Sequence, residues 1–304
     1  MDGVAHMLTR RRLLAAGAAA AYSRAVGCYA GSAGAAAARR SVVLLWMDGG
    51  PSQLETFAPG PEAQLRSIAT RAPGLRVCEG LPLLADRAHL VAVLRDVRSP
   101  ECNHRRAWYM MHTGLTASPT AALPPRPDGA LEALRPEYPA ACDLSREALS
   151  TLSAYGGSDF GRGCLIARRL VEAGAPFVEV ELGGWDTHSD NAPRVRDLLP
   201  VLDRAMSALL DDLVERDLLR RTLVVWMGDF GRTAELNRCG GRDHDPRHGC
   251  VVMAGAGVRR GVVLDGRTWP VTAVLSRMRA VSGYPVHAMP LDEDITSLSR
   301  RLLG

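Results

Sequence analysis

Residues 222–248, TLVVWMGDFGRTAELNRCGGRDHDPRH, constrain this chain more than any other stretch. Thr222–Met227 is an unbroken β-branched and apolar run of the length of a buried strand. Gly228 ends it and Asp229 follows at once. In open α/β sheets ligands bind in the crevice outside the carboxyl ends of the strands, so an acidic residue there is a candidate ligand. Asp243, His244, Asp245 and His248 then fall within six positions. Carboxylate oxygen and imidazole nitrogen at that density form a donor set for a divalent cation. Taken alone, such a cluster is an ordinary surface turn held by local hydrogen bonds.

The same architecture recurs, which favours the site. Val42–Met47 is a continuous apolar run of the kind covered on both faces of a sheet, and it ends in Asp48-Gly49-Gly50-Pro51-Ser52. Pro176–Leu182 alternates like a strand and runs into Gly183-Gly184-Trp185-Asp186-Thr187-His188. Val91–Arg98 reads as a further strand leading to Glu101-Cys102-Asn103-His104-Arg105-Arg106, with a helix over Ala107–Thr113 stopped by Gly114. Amphipathic periodicity predicts helices over Phe160–Gly174 and Arg196–Arg216, the second burying Leu198, Leu199, Leu202, Met206, Leu209, Leu210 and Leu213. Residues 115–145, rich in Pro and Ala, read as a loop or lid with at most one short helix. Strands alternating with helices predict a doubly wound α/β sandwich, three layers around a mostly parallel sheet.

Composition removes several alternatives. All 37 basic residues are arginine, which excludes a Schiff-base lysine and a phosphate loop of the Gly-Lys-Ser/Thr type. The net charge of +4 comes from the first forty residues, which hold six Arg against one Asp. From Ser41 onward 31 Arg face 32 acids, so no nucleic-acid footprint is present. Thr9-Arg10-Arg11-Arg12-Leu13-Leu14, followed by an alanine-rich run, reads as a twin-arginine export signal over residues 1–40. That predicts a periplasmic or envelope location, with residues 41–304 as the α/β domain. The apolar run is too short to span a membrane. Ala25-Val26-Gly27-Cys28 has the form of a lipoprotein box, so Cys28 is a candidate lipid anchor. The seven cysteines prescribe no disulfide framework and no four-thiolate zinc site.

The stretches MDGGPSQLETFAP, NHRRAWYMMHTG, FGRGCLIARRLVEAGAPFVEV, GGWDTHSDN and VVWMGDFGRT followed by GRDHDP resemble the exported bacterial proteins grouped as domain of unknown function 1501. That group is similar to the sulfatases and alkaline phosphatases. The resemblance implies their three-layer α/β fold with a metal centre at the carboxyl edge of the sheet. It implies a ligand role for Asp48, which matches the aspartate ending the first strand in sulfatase-like enzymes. Asp229 ends the strand that leads there to an Asp-His metal pair, although Phe230 replaces the histidine and His244 is the nearest one. Cys102-Asn103-His104-Arg105-Arg106 is similar to the sulfatase signature Cys/Ser-x-Pro-x-Arg, which would make Cys102 a nucleophile or formylglycine precursor; the alternative is a buried structural thiol. The chain also departs from the family, with Ala58 in Thr56-Phe57-Ala58-Pro59 where an Asp is common and a shortened segment around 115–150.

The expected chemistry is metal-assisted hydrolysis of a phosphate or sulfate ester. The expected ligands are Asp48, Asp186, His188, Asp229, Asp243 and His244, with His248 in reserve. The ion is zinc, manganese or calcium, and the substrate a small anionic ester or a sulfated or phosphorylated glycan. Arg232 or Arg242 would clamp the anionic group, with Arg105 and Arg106 on the other side. Activated water, Ser52 or Cys102 would be the nucleophile. The competing reading is a degenerate, non-catalytic envelope binding or scaffold protein.

Overall fold

The computed structural model describes residues 26–28, 40–116, 138–282 and 301–303. The strands are β1 (Val26–Cys28), β2 (Ser41–Met47), β3 (Ser67–Ala69), β4 (Arg76–Cys78), β5 (Val91–Arg98), β6 (Phe177–Leu182), β7 (Thr222–Gly228), β8 (Gly231–Arg232), β9 (His244–Asp245), β10 (Gly249–Ala254), β11 (Val262–Leu264) and β12 (Trp269–Pro270). The helices are α1 (Pro82–Arg87), α2 (His104–Thr113), α3 (Tyr138–Cys142), α4 (Leu149–Tyr155), α5 (Asp159–Glu172), α6 (Asn191–Glu215) and α7 (Val271–Ser282).

The main sheet has the order β1-β6-β2-β7-β10-β5-β11, with β12 also pairing β5. Its centre is parallel: β2 lies between β6 and β7, pairing Val43 with Val178 on one side and with Val224 on the other. β10 runs antiparallel to both β7 and β5. Two reversals restore direction, so β6, β2, β7 and β5 all point the same way. Their carboxyl ends therefore open on one edge, and that edge carries the candidate chemistry.

Every residue of β2 is buried, as expected of a strand covered on both faces. Its side chains alternate between two cores. Val43, Leu45 and Met47 pack with α5 and α6 residues such as Leu165, Leu170, Leu202 and Leu209. Val42, Leu44 and Trp46 pack with Trp108 and Met111 of α2 and with Val274 and Leu275 of α7. Helices thus cover both faces of a mixed sheet with a parallel centre, which is the expected three-layer α/β sandwich.

Two helix boundaries differ from expectation. α2 begins at His104, three residues early, because Asn103 caps it by accepting the Arg106 backbone N–H at 3.3 Å; Gly114 closes it in the left-handed region as foreseen. α6 begins at Asn191 rather than Arg196, since Pro193 falls in the first turn, where its missing N–H costs nothing. Leu198 is half-buried there, while the other apolar residues expected inward are buried. Most of the Pro/Ala-rich segment lies outside the described residues, as does the segment expected to be an export signal, apart from β1 and Arg40; α3 is the short helix at the Pro/Ala-rich segment's end. No described helix is long and apolar enough to cross a membrane.

α1 is capped from a distance. Its N-cap residue, Leu81, contributes no side-chain bond, and the Leu83 and Leu84 N–H groups instead donate to Asp203 of α6 at 3.0 and 2.8 Å. Asp203→Ala is expected to lower folding stability by about 1–2 kcal/mol, the worth of a lost N-cap, read as a shift in the denaturant midpoint at unchanged slope.

Candidate metal centre

Asp186 and His188 follow β6 in an extended segment. Trp185 and Thr187 are buried while Asp186 and His188 are exposed, so the two-residue spacing presents carboxylate and imidazole on one side. His104 arrives from β5 through the 99–103 connection, at the first position of α2. His244 comes from the β8–β9 ribbon, where it stands opposite Arg232. Glycines allow these loops to close on one another. A Cβ on Gly241 would stand 2.0 Å from the His188 carbonyl carbon, and one on Gly49, which also has a φ of +104°, would stand 2.4 Å from the Asp186 nitrogen.

The side chains converge on one atom. The Nε2 atoms of His188, His104 and His244 lie 3.2, 3.4 and 3.5 Å from Asp186 Oδ1. His188 Nε2 and His244 Nε2 are 2.8 Å apart. Each imidazole is held at its other nitrogen: His104 Nδ1 meets Asp229 Oδ2 at 2.6 Å, His188 Nδ1 meets Asp243 Oδ1 at 2.8 Å, and His244 Nδ1 donates to the Cys102 carbonyl at 2.7 Å. A carbonyl only accepts, so His244 carries its proton on Nδ1 and, when neutral, leaves a lone pair on Nε2. Carboxylates behind His104 and His188 favour the same tautomer. Among the described residues, ligand atoms of His104, Asp186 and His244 all lie within 4.8 Å of one another, the spacing of a shared ion.

Buried loose ends fit a cation here. His104 Nε2 and Asp229 Oδ1 are both buried without a hydrogen-bond partner. Burial drags the His104 pKa down, but its bond to Asp229 and the charges of Asp229 and Asp186 outweigh burial and raise it. Burial also pushes Asp229 up against the pull of His104; both directions describe a pair that retains the shared proton. Asp186 is the reverse case: burial would raise it, and the Arg232 guanidinium holds it below the usual carboxylate range. Burial, with Arg232 and the neighbouring imidazoles, lowers His244. Bonds from Asn237 and His188 keep Asp243 low.

The remaining candidates are placed differently. Asp229 is fully buried and accepts Gly49 N–H and His104; with Asp243, it stands behind an imidazole and orients it. Asp48 follows β2 directly, as Asp229 follows β7 beside it, and its charge adds to the upward pressure on Asp229. Arg232 is fully buried and spends its guanidinium on the Gly49, Gly50 and Arg242 carbonyls and on Asp186, the last at 2.6 Å. Arg242 is equally buried, paired with Glu55 at 2.9 and 3.0 Å and bonded to the carbonyls of Glu62, Thr233 and Ala234. Neither is a free anion clamp as expected; each ties loop backbone together. Arg106 binds Glu101 at 2.7 Å. Ser52 is buried and donates to Glu55, not toward an open face. Cys102 is exposed, so the expectation of a buried structural thiol is corrected. His248 pairs with Asp245 at 2.9 Å, apart from the three converging imidazoles. In the sequence His104 stands only as a substitution in a signature; the one signal it carries is a histidine shortly after a strand, and the direction of that strand comes from its pairing through β10.

Fold and site together define an α/β protein with a histidine-carboxylate centre at the carboxyl edge of its sheet. The sequence matches the family described as "Protein of unknown function (DUF1501)" over residues 39–130 and 127–271, and the chain belongs to that family. No curated protein matches it. Solved structures similar to it include Ps i-CgsB in complex with k-i-k-neocarrahexaose, at 11% identity and a TM-score of 0.48 over 82% of this chain and 73% of that one. Another is the PsFucS1 sulfatase from Pseudoalteromonas sp., at 15% identity and a TM-score of 0.47 over 81% of this chain and 68% of that one.

Proposed function

We propose that this protein is an exported, metal-dependent hydrolase of small phosphate or sulfate esters. The observation that carries the reading is the meeting of three imidazole Nε2 atoms at Asp186 Oδ1, each ring fixed at Nδ1. His104, Asp186, His188 and His244 would hold a divalent ion there. Such an ion supplies Lewis acidity toward an ester oxygen and a water of lowered pKa. Asp229, Asp243 and the Cys102 carbonyl keep the rings aimed and their protons on Nδ1. Arg232 holds the Asp186 carboxylate ionised and in place. With Ser52 committed to Glu55, water is the nucleophile this arrangement favours, and the exposed Cys102 is second to it. Residues 1–40 act as the address that sends the folded chain through the twin-arginine route.

A second reading has a specific observation in its favour. Arg232, Arg242 and Ser52, the groups expected to handle an anionic ester, are all engaged within the protein. A non-catalytic envelope protein that keeps the centre for binding or for stability would have this character.

The test begins with elemental analysis of chelator-free protein, followed by a screen of phosphate and sulfate esters. Stoichiometric metal in the wild type, its loss in His104→Ala, and ester turnover that disappears with the metal are the expected results. Metal without turnover of any ester moves the assignment to the non-catalytic reading. No metal at all, even after addition of divalent salts, overturns both.

A further inference from the structure

The donor set identifies the kind of ion. We infer that the centre is a mononuclear site built for zinc or a similar borderline transition ion, not for calcium or magnesium, with His104, Asp186 and His244, whose ligand atoms all lie within 4.8 Å of one another, as its core and His188, set beside Asp186 and His244, as the fourth ligand. The inference deepens the proposed metal site and rests on it.

The chemistry of the donors comes first. Three of the four are imidazole nitrogens and one is a carboxylate oxygen. Calcium takes six to eight oxygens at about 2.3–2.6 Å, and magnesium takes an octahedron of oxygens. Imidazole suits zinc, copper, iron and nickel, whereas carboxylate, carbonyl and water suit magnesium, calcium and manganese. Calcium here would meet one hard ligand and three poor ones.

The geometry agrees. Ligands placed about 2.0–2.2 Å from a common ion at tetrahedral angles stand roughly 3.3 Å from one another. The three contacts to Asp186 Oδ1, at 3.2, 3.4 and 3.5 Å, bracket that edge. The His188–His244 contact is shorter, at 2.8 Å. It sets two Nε2 lone pairs face to face when both Nδ1 atoms carry their protons, an arrangement that repels unless a cation lies between them. His104 Nε2, buried and without a hydrogen-bond partner, faces the same point.

The second sphere is that of a histidine metal site as well. Metal-bound imidazoles donate the other ring N–H to a carboxylate or a backbone carbonyl, which fixes the tautomer and strengthens the donor. All three rings here have such a partner: Asp229, Asp243 and the Cys102 carbonyl.

Four protein ligands fill a tetrahedron, so an ester oxygen or water has to enter as a fifth ligand, which zinc accepts. Whether it enters is a property of the catalytic reading and not of the choice of ion. The two are therefore separable.

The experiment loads metal-free, full-length protein with cobalt(II) and follows its visible absorption, with zinc, calcium and magnesium as competitors. An intense four-coordinate cobalt spectrum is expected, abolished by one equivalent of zinc and unaffected by about a hundredfold excess of calcium or magnesium. Asp243→Asn, a change at an exposed carboxylate, is expected to weaken zinc about 10–100-fold through His188. His188→Ala is expected to change the spectrum itself. A weak six-coordinate spectrum, or displacement by calcium, overturns the inference and leaves a hydrolase using another ion. Unchanged zinc affinity and an unchanged spectrum in both variants overturn the assignment of His188. Inorganic phosphate and sulfate are then added to the cobalt form. A spectrum they leave untouched, in a protein that binds zinc as expected, upholds the ion and overturns the ester reading.

Discussion

Arg242→Ala is expected to lower folding stability by about 3–5 kcal/mol, the cost of breaking a buried ion pair by removing one partner. Arg242 and Glu55 are both fully buried and meet at 2.9 and 3.0 Å, so removing the guanidinium leaves the Glu55 carboxylate buried without its cation. The deletion strands Glu55 and frees the carbonyls of Glu62, Thr233 and Ala234 at once. Since Arg242 immediately precedes Asp243 and His244, the loop bearing them loses its anchor and metal affinity falls with stability. Denaturant unfolding of the metal-free variant and the wild type checks the claim. An anion clamp, the role that sequence suggested, would show the opposite pattern: normal stability and a raised KM.

Asp186→Ala is expected to take bound metal from stoichiometric to background, while His248→Ala leaves it unchanged. Both residues were candidates from sequence, and geometry separates them. Asp186 Oδ1 is where three imidazoles meet; His248 leans on Asp245. Asp186→Ala also removes the carboxylate from the buried Arg232. Three backbone carbonyls still accept from that guanidinium, so the metal-free variant should lose only about 1.5–3 kcal/mol, the worth of one hydrogen bond to a charged group. Elemental analysis of the two variants, with their unfolding curves, reads both effects.

The strand ends were legible because burial on both faces demands an apolar run and a ligand site demands a polar stop. Val42–Met47 before Asp48 and Thr222–Met227 before Asp229 carry both signals in adjacent residues. The direction of β5 was not legible. It depends on the two reversals through β10, and without it nothing says that the loop from Arg98 to His104 opens on the same edge. Nor does residue type separate a ligand from the group behind it. Asp229 and Asp186 are both aspartates after a strand, and only depth distinguishes them: one fully buried behind an imidazole, the other exposed among three. The arginines failed as clamps for a related reason. Loops that converge on a polar centre have few apolar side chains to pack, so their carbonyls need donors, and a planar guanidinium supplies several from one residue.

The position of β2 has a consequence for synthesis. This strand, buried along its whole length, is the first long strand of the sheet, yet its partners are residues 177–182 and 222–228. At about 5–20 residues per second, a ribosome needs roughly ten seconds or more to deliver both. Until residues 177–182 emerge the apolar segment SVVLLWM has two edges to pair, and one is left until 222–228 arrive; such a segment is the form most prone to pair with another chain. The centre of the finished molecule is thus its most exposed hazard during birth, and the yield of the native protein depends on what shields seven residues until the chain has reached Gly228.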